Sequence, residues 1–188
     1  MAPLFNPTAP DRPPSAIPAF SAVMSAPFGA VGVLSDDQLI QTIEFLPPGQ
    51  PEISPANRLA EKAIGQLANY LSDPDFPFDL PLAGRGTPFR RRIWAAIAAI
   101  PRGATRSYGE LARDAGSIAR AVGQACGDNP FPLVIPCHRV VAAAGVGGFA
   151  HENNGHLIDT KRWLLLHENA VPGTDDAFLP GLFDTPHS

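Results

Sequence analysis

Cys137 and His138 stand side by side where an apolar, proline-bounded run, N-P-F-P-L-V-I-P (129–136), ends, and Arg139 follows them. The thiolate is the nucleophilic form of cysteine, and it needs a base or a positive charge nearby to bring the thiol below its usual pKa of about 8.5. A cysteine leaving an apolar run is most often a core residue. An imidazole and a guanidinium next to it turn the balance toward covalent chemistry. Neighbours along an extended chain point to opposite sides, so His138 is expected to act on the sulfur through a water. A carboxylate should orient the imidazole, and Glu168, at the end of the last helical pattern, is the candidate.

Two units are expected to position these groups. Residues 1–19 hold six prolines and few large apolar side chains, and are expected to form a disordered tail. Short β-type segments at 21–24, 30–34 and 39–45 predict a small antiparallel sheet. Ser54 and Pro55 then offer an N-cap and a first helical position for a helix with the apolar face Leu59, Ala63, Ile64, Leu67, Tyr70 and Leu71. Together they make an N-terminal α/β domain over 20–80, with a Pro- and Gly-rich linker at 75–86.

The second domain, 81–172, reads as mostly α. Thr87 caps a helix with Pro88 next to it and an apolar stripe of Phe89, Ile93, Trp94, Ile97 and Ile100. Ser107 and Glu110 have the spacing of a capping box. The short helix they open is followed by a turn at Gly116-Ser117 and a second short helix, 118 to about 127, carrying mostly small residues. That is a helix-turn-helix pattern. The run 129–136 is expected to be buried and extended, a Gly-rich loop spans 145–148, and an amphipathic helix covers about 159–168. Residues 173–188 are expected to be a flexible tail.

Charge is unevenly distributed in a chain of net charge -4: residues 1–80 carry three basic and nine acidic side chains, whereas residues 81–139 carry nine basic, all arginine, against three acidic. A confined arginine block in an acidic chain fits an anion-binding face, with a phosphate backbone as the leading partner. Two cysteines cannot make a disulfide framework, and the N-terminus lacks a basic segment followed by an apolar one. The expectation is a cytoplasmic protein with reduced thiols and no membrane partner. His151 and His156 have no third ligand nearby, and neither Gly29–Gly32 nor Gly145–Gly148 forms a nucleotide-binding turn, so no metal and no cofactor are expected.

P-C-H-R-V-V (136–141) resembles the active-site signature of the methylated-DNA--protein-cysteine methyltransferases, the O6-alkylguanine-DNA alkyltransferase family. T-P-F-R-R-R-I-W (87–94), P-R-G-A-T-R-S-Y-G-E-L-A (101–112), A-R-A-V-G-Q-A (119–125), D-N-P-F-P-L-V-I-P-C-H-R-V-V (128–141) and K-R-W-L-L-L-H-E (161–168) resemble it in order and nearly in spacing. The resemblance implies irreversible transfer of an alkyl group from guanine O6, with thymine O4 as a second substrate, to the protein's own cysteine, once per lesion and with base flipping. It also implies an RNase-H-like N-terminal unit and a winged helix-turn-helix C-terminal unit, with the second helix in the minor groove of double-stranded DNA and the protein acting as a monomer.

By the same resemblance Cys137 is the alkyl acceptor, His138 the base, Glu168 its orienter, Asn129 the hinge asparagine and Tyr108 the residue that helps neutralise the leaving guanine. Arg120 fills the place of the extruded base. Ala119, Ala121, Gly123 and Arg106 join Arg120 and Tyr108 at DNA, and Val140, Phe149, Ala150, Lys161 and Pro132 form the pocket. The segment 148–156 is several residues longer than in many members. Two rival readings remain: an alkyltransferase-like protein that only binds lesions, which carries another residue at the cysteine position, and a Cys-His hydrolase, in which the arginine block would be idle.

Overall fold

A computed structural model describes residues 20–152 and 154–170. The expected tails, at 1–19 and 173–188, lie outside the described residues.

Strands β1 (Ala22–Ala26), β2 (Gly29–Ser35) and β3 (Ile40–Leu46) form an antiparallel meander in that order, with Val23 opposite Gly32 and Val33 opposite Ile43. The central strand β2 is covered on both faces. At Gly32 a Cβ would stand 2.7 Å from the Phe20 ring, so only glycine lets that ring close the outer side. Helix α1 (Arg58–Ser72) buries Ala63, Leu67 and Tyr70 of the expected face together with Ala60, while Leu59, Ile64 and Leu71 are partly buried. It begins three residues later than Ser54 and Pro55 predict. Asn57 is the N-cap, its side chain accepting from Ala60 N at 2.8 Å, while Ile53 pairs with Val23 and holds the preceding segment extended.

Helix α2 (Pro88–Ala98) starts as expected, the Thr87 hydroxyl accepting from Arg90 N at 3.3 Å. Its buried Trp94 donates to Ala125 O at 2.7 Å. Two-residue strands β4 (Arg106–Ser107) and β5 (Val140–Val141) pair in parallel. Between them lie α3 (Tyr108–Asp114), opened by the complete capping box of Ser107 and Glu110, and α4 (Ala119–Gly127). Gly116, at φ +60°, makes the turn that joins them.

The run 129–136 is turned, not extended. Asn129 folds it: its Oδ1 accepts from Phe131 N at 3.0 Å, its Nδ2 donates to Ile135 O at 2.9 Å, and Leu133 sits at φ +73°. Residues Cys137–Arg139 then form one 3-10 turn. Helix α5 (His156–His167) begins three residues before the expected start, and Glu168 is its C-cap, not its last residue.

One hydrophobic core runs from Val31 and Ile43 through Tyr70, Trp94, Phe131 and Cys137 to Leu164. Polar ties cross from the sheet to the loop before the cysteine: Ile43 N donates to Pro130 O at 2.9 Å and the Thr42 hydroxyl to the same oxygen at 3.0 Å. Strand β3 therefore helps set the position of the turned run.

Candidate active site

The 3-10 turn places Cys137 and His138 differently from an extended chain. Cys137 is 3% exposed and lines a cavity of about 200 Å³, with Asn129, Pro132, Phe149 and Ala150 on the wall and Ile43 and Phe45 of β3 closing another side. Asn129 Nδ2, which also holds Ile135 O, donates to Cys137 Sγ at 3.1 Å. The Asn129 side chain thus shapes the turn and touches the sulfur.

Burial pushes the Cys137 thiol well above its ordinary value, and the nearby Cys126 adds to this; the Asn129 hydrogen bond and the charge of Lys161 pull the other way. The cation acting on the sulfur is Lys161, 24 positions on in sequence, and not the adjacent Arg139. Lys161 is fully buried. Its Nζ donates to Val140 O at 2.7 Å and to Gly148 O at 3.0 Å, and lies 5.6 Å from the Tyr108 ring centre and 5.7 Å from that of Phe149. Burial lowers its pKa to about 8, against the opposing pull of the two thiols.

His138 is buried and faces Glu168, with Nε2 3.0 Å from Oε1. That is ion-pair distance without the alignment of a hydrogen bond, and Nδ1 has no protein partner. Burial lowers the histidine pKa, Glu168 opposing, so the neutral ring is favoured. Glu168 is fully buried too. Burial alone would raise its carboxyl, but Arg139 and His138 outweigh this and hold it well below the usual carboxylate range. Arg139 grips it at both oxygens, Nε to Oε2 at 2.8 Å and Nη2 to Oε1 at 2.7 Å, while Nη1 donates to Ile100 O at 2.5 Å. Tyr70 of α1 completes the set with a hydroxyl donated to Oε1 at 2.7 Å.

A second, wider cavity of about 380 Å³ adjoins the first and shares Cys126, Gly127, Phe149 and Ala150 with it. Ala119, Arg120 and Gly123 of α4 line it, together with Tyr108, whose hydroxyl donates to Gly148 O at 2.8 Å. Among the described residues no hydrogen bond or ion pair holds the exposed Arg120 guanidinium. Ala121 lies on the same helix but outside the cavity lining, and Arg106 is tied to Asp114 at 2.6 Å. The longer loop folds back at Phe149–Glu152, with Ala150 and His151 in the left-handed region, and rests on α4 where the His151 ring lies over Gly127 and pairs with Asp128 at 3.1 Å. Among the described residues no three His, Cys, Asp or Glu side chains are grouped to hold a metal ion.

The structure thus brings Cys137, Asn129, Pro132, Phe149 and Ala150 around one cavity; Val140 and Lys161, bonded to each other, and His138, which faces Glu168, lie outside its lining, and Lys161 acts on the sulfur through its charge. Sequence reasoning missed Tyr70, 98 positions from its partner, and Arg139 as the carboxylate's main cation. Adjacency to His138 was the only signal for Arg139, and Tyr70 read as one more core aromatic.

A cysteine on a cavity wall, next in sequence to an imidazole that faces a carboxylate, is the set of groups that proteins with a thiol nucleophile use. The family model described as 6-O-methylguanine DNA methyltransferase, DNA binding domain, matches residues 88–170. A methylated-DNA--protein-cysteine methyltransferase of Mycolicibacterium paratuberculosis is 45% identical over 109 residues, 56% of this chain and 63% of that relative. One of Mycobacterium bovis is 36% identical over 157 residues, 79% of this chain and 92% of the relative. The O6-methylguanine methyltransferase of Mycobacterium tuberculosis superposes with TM-score 0.66 at 32% identity, covering 81% of this chain and 94% of that one; the same organism's protein in complex with DNA gives 0.64 at 34%, covering 79% and 91%. This chain belongs to the methylated-DNA--protein-cysteine methyltransferase family. Among the described residues no helix is long and apolar enough to cross a membrane.

Proposed function

We propose that the chain repairs double-stranded DNA by moving an alkyl group from guanine O6, and from thymine O4 as a second substrate, onto Cys137. The observation that carries this is the placement of Cys137 on the wall of a cavity that adjoins the groove lined by Arg120 and Tyr108. The sulfur attacks the alkyl carbon, an S–C bond forms, and the C–O bond to the base breaks. The thiol proton passes through a water to neutral His138, whose imidazolium would face the Glu168 carboxylate; the departing guanine anion takes a proton from solvent, and the imidazolium returns its own to solvent. A thioether has no easy hydrolytic exit, so each molecule acts once.

For the alkyl carbon to reach the sulfur, the nucleotide must leave the helix. In this reading α3 and α4 are the helix-turn-helix of a winged C-terminal domain (81–172), α4 enters the minor groove, and its small residues Ala119, Ala121 and Gly123 let the backbone approach. Arg120 takes the space of the extruded base, its planar cation offsetting part of the few kcal/mol that flipping costs. Arg106 and Tyr108 contact the strand, and Tyr108 helps neutralise the leaving guanine. The N-terminal domain (20–80), read as RNase-H-like, supports the site through β3 and α1. The protein works as a cytoplasmic monomer.

Cys137→Ala tests the reading. The variant should bind duplex containing O6-methylguanine and leave the methyl group on the DNA. Transfer that survives the substitution overturns the assignment of the nucleophile.

A further inference from the structure

Cys126 is a buried nucleophile for which the transfer reaction has no use. It lies on α4, is 8% exposed, and lines the same cavity of about 200 Å³ as Cys137. The two thiols interact directly enough for Cys126 to raise the pKa of Cys137, and the ammonium of Lys161 and the hydroxyl of Tyr108 each feel both sulfurs. Both cysteines are free. Cys126 also borders the wider groove, which Cys137 does not, so it stands between that groove and the cavity that both cysteines line.

We propose that Cys126 is a resolving thiol for Cys137, so that a peroxide converts the pair into an intramolecular disulfide that shelters the alkyl acceptor until a dithiol reduces it. In the first step the Cys137 sulfur attacks a peroxide oxygen. The O–O bond breaks, two electrons pass from sulfur to the peroxide, water or an alcohol leaves, and Cys137 becomes a sulfenic acid. In the second, the Cys126 sulfur attacks the Cys137 sulfur, the S–O bond breaks, water leaves, and the S–S bond forms. Burial keeps Cys137 mostly protonated, so the first step runs through a minor thiolate; the neighbouring thiol decides the product, not the rate. The inference rests on the reading of Cys137 as a single-use acceptor, for which oxidation to sulfinic acid would be as final as alkylation.

The test treats the purified full chain with hydrogen peroxide, measures mass under non-reducing conditions, maps the peptides, and then assays alkyl transfer from O6-benzylguanine before and after dithiothreitol. Wild type should lose about 2 Da, show one cross-link between the Cys126 and Cys137 peptides, and regain its transfer capacity on reduction. Cys126→Ser, scored against its own untreated activity, should gain about 32 Da at Cys137 and stay inactive. The proposal is overturned if wild type collects oxygen at Cys137 without a cross-link, or if Cys126→Ser recovers as fully as wild type. Peptide mapping of wild type decides without the variant. Failure of untreated wild type to accept the benzyl group would sink the alkyl-transfer reading separately, because the cross-link is read by mass alone.

Discussion

The Tyr70 hydroxyl donates a 2.7 Å hydrogen bond to Oε1 of Glu168, the same oxygen that stands 3.0 Å from His138 Nε2. A helix of the N-terminal half thereby holds the carboxylate that faces the imidazole, next to the cysteine. Tyr70→Phe keeps the packing of the ring and removes the donor. A hydrogen bond to a buried charge contributes about 1.5–3 kcal/mol, so denaturant unfolding should show a loss near 2 kcal/mol. Transfer from O6-benzylguanine should slow as well, because Glu168 loses one of the groups that fix its orientation. Unchanged stability and rate would make the contact incidental.

Acid should destabilise the protein in two stages. His138 has a pKa below its ordinary 6.5, so as pH falls through that value the unfolded chain binds a proton that the folded one refuses, and stability drops. Glu168, depressed below 4.5, contributes stability that is present above that value and lost as pH falls further. Unfolding midpoints measured from pH 8 to 4 should decline from about pH 6.5 downward. A midpoint that is flat to pH 5 would contradict a buried neutral His138.

Lys161 predicts a bend in the rate profile. As pH rises, Cys137 ionises more but the ammonium that favours its thiolate is lost through about 8. The rate of benzyl transfer should therefore climb and level off near that pH. Lys161→Met should react more slowly at neutral pH, about tenfold, and show no bend there. A bend that persists in the variant assigns it to another group.

Arg120 is exposed on α4 beside the wider cavity, and in the proposed reading its role is confined to duplex substrates. Arg120→Ala should slow repair of methylated duplex about tenfold or more while leaving reaction with free O6-benzylguanine within about twofold. Equal losses on both substrates would reject the flipping role.

Much of the helical frame was legible because its signals are local. Thr87 with Pro88, and Ser107 with Glu110, cap the helices they predict, since a cap needs only residues within one turn. The 129–136 run misled for the opposite reason. Its apolar content reads as a buried strand, but Asn129 spends its amide on Phe131 N, Ile135 O and the Cys137 sulfur, and these bonds curl the chain. The start of α1 was misjudged because Asn57 is as good a cap as Ser54, and only the pairing of Ile53 with Val23 decides between them. Within the site, the adjacent Cys137 and His138 could be read from their types. The Lys161 effect on the sulfur and the Tyr70 bond to Glu168 depend on contacts between distant segments, which no spacing encodes.

Peptide mass spectrometry after incubation with one equivalent of duplex containing O6-methylguanine reads the central claim most directly. A gain of about 14 Da is expected, confined to the peptide bearing Cys137 and reaching one methyl per chain with no further turnover. Methyl loss from the DNA with Cys137 unmodified, or continued turnover beyond one lesion per chain, would contradict it.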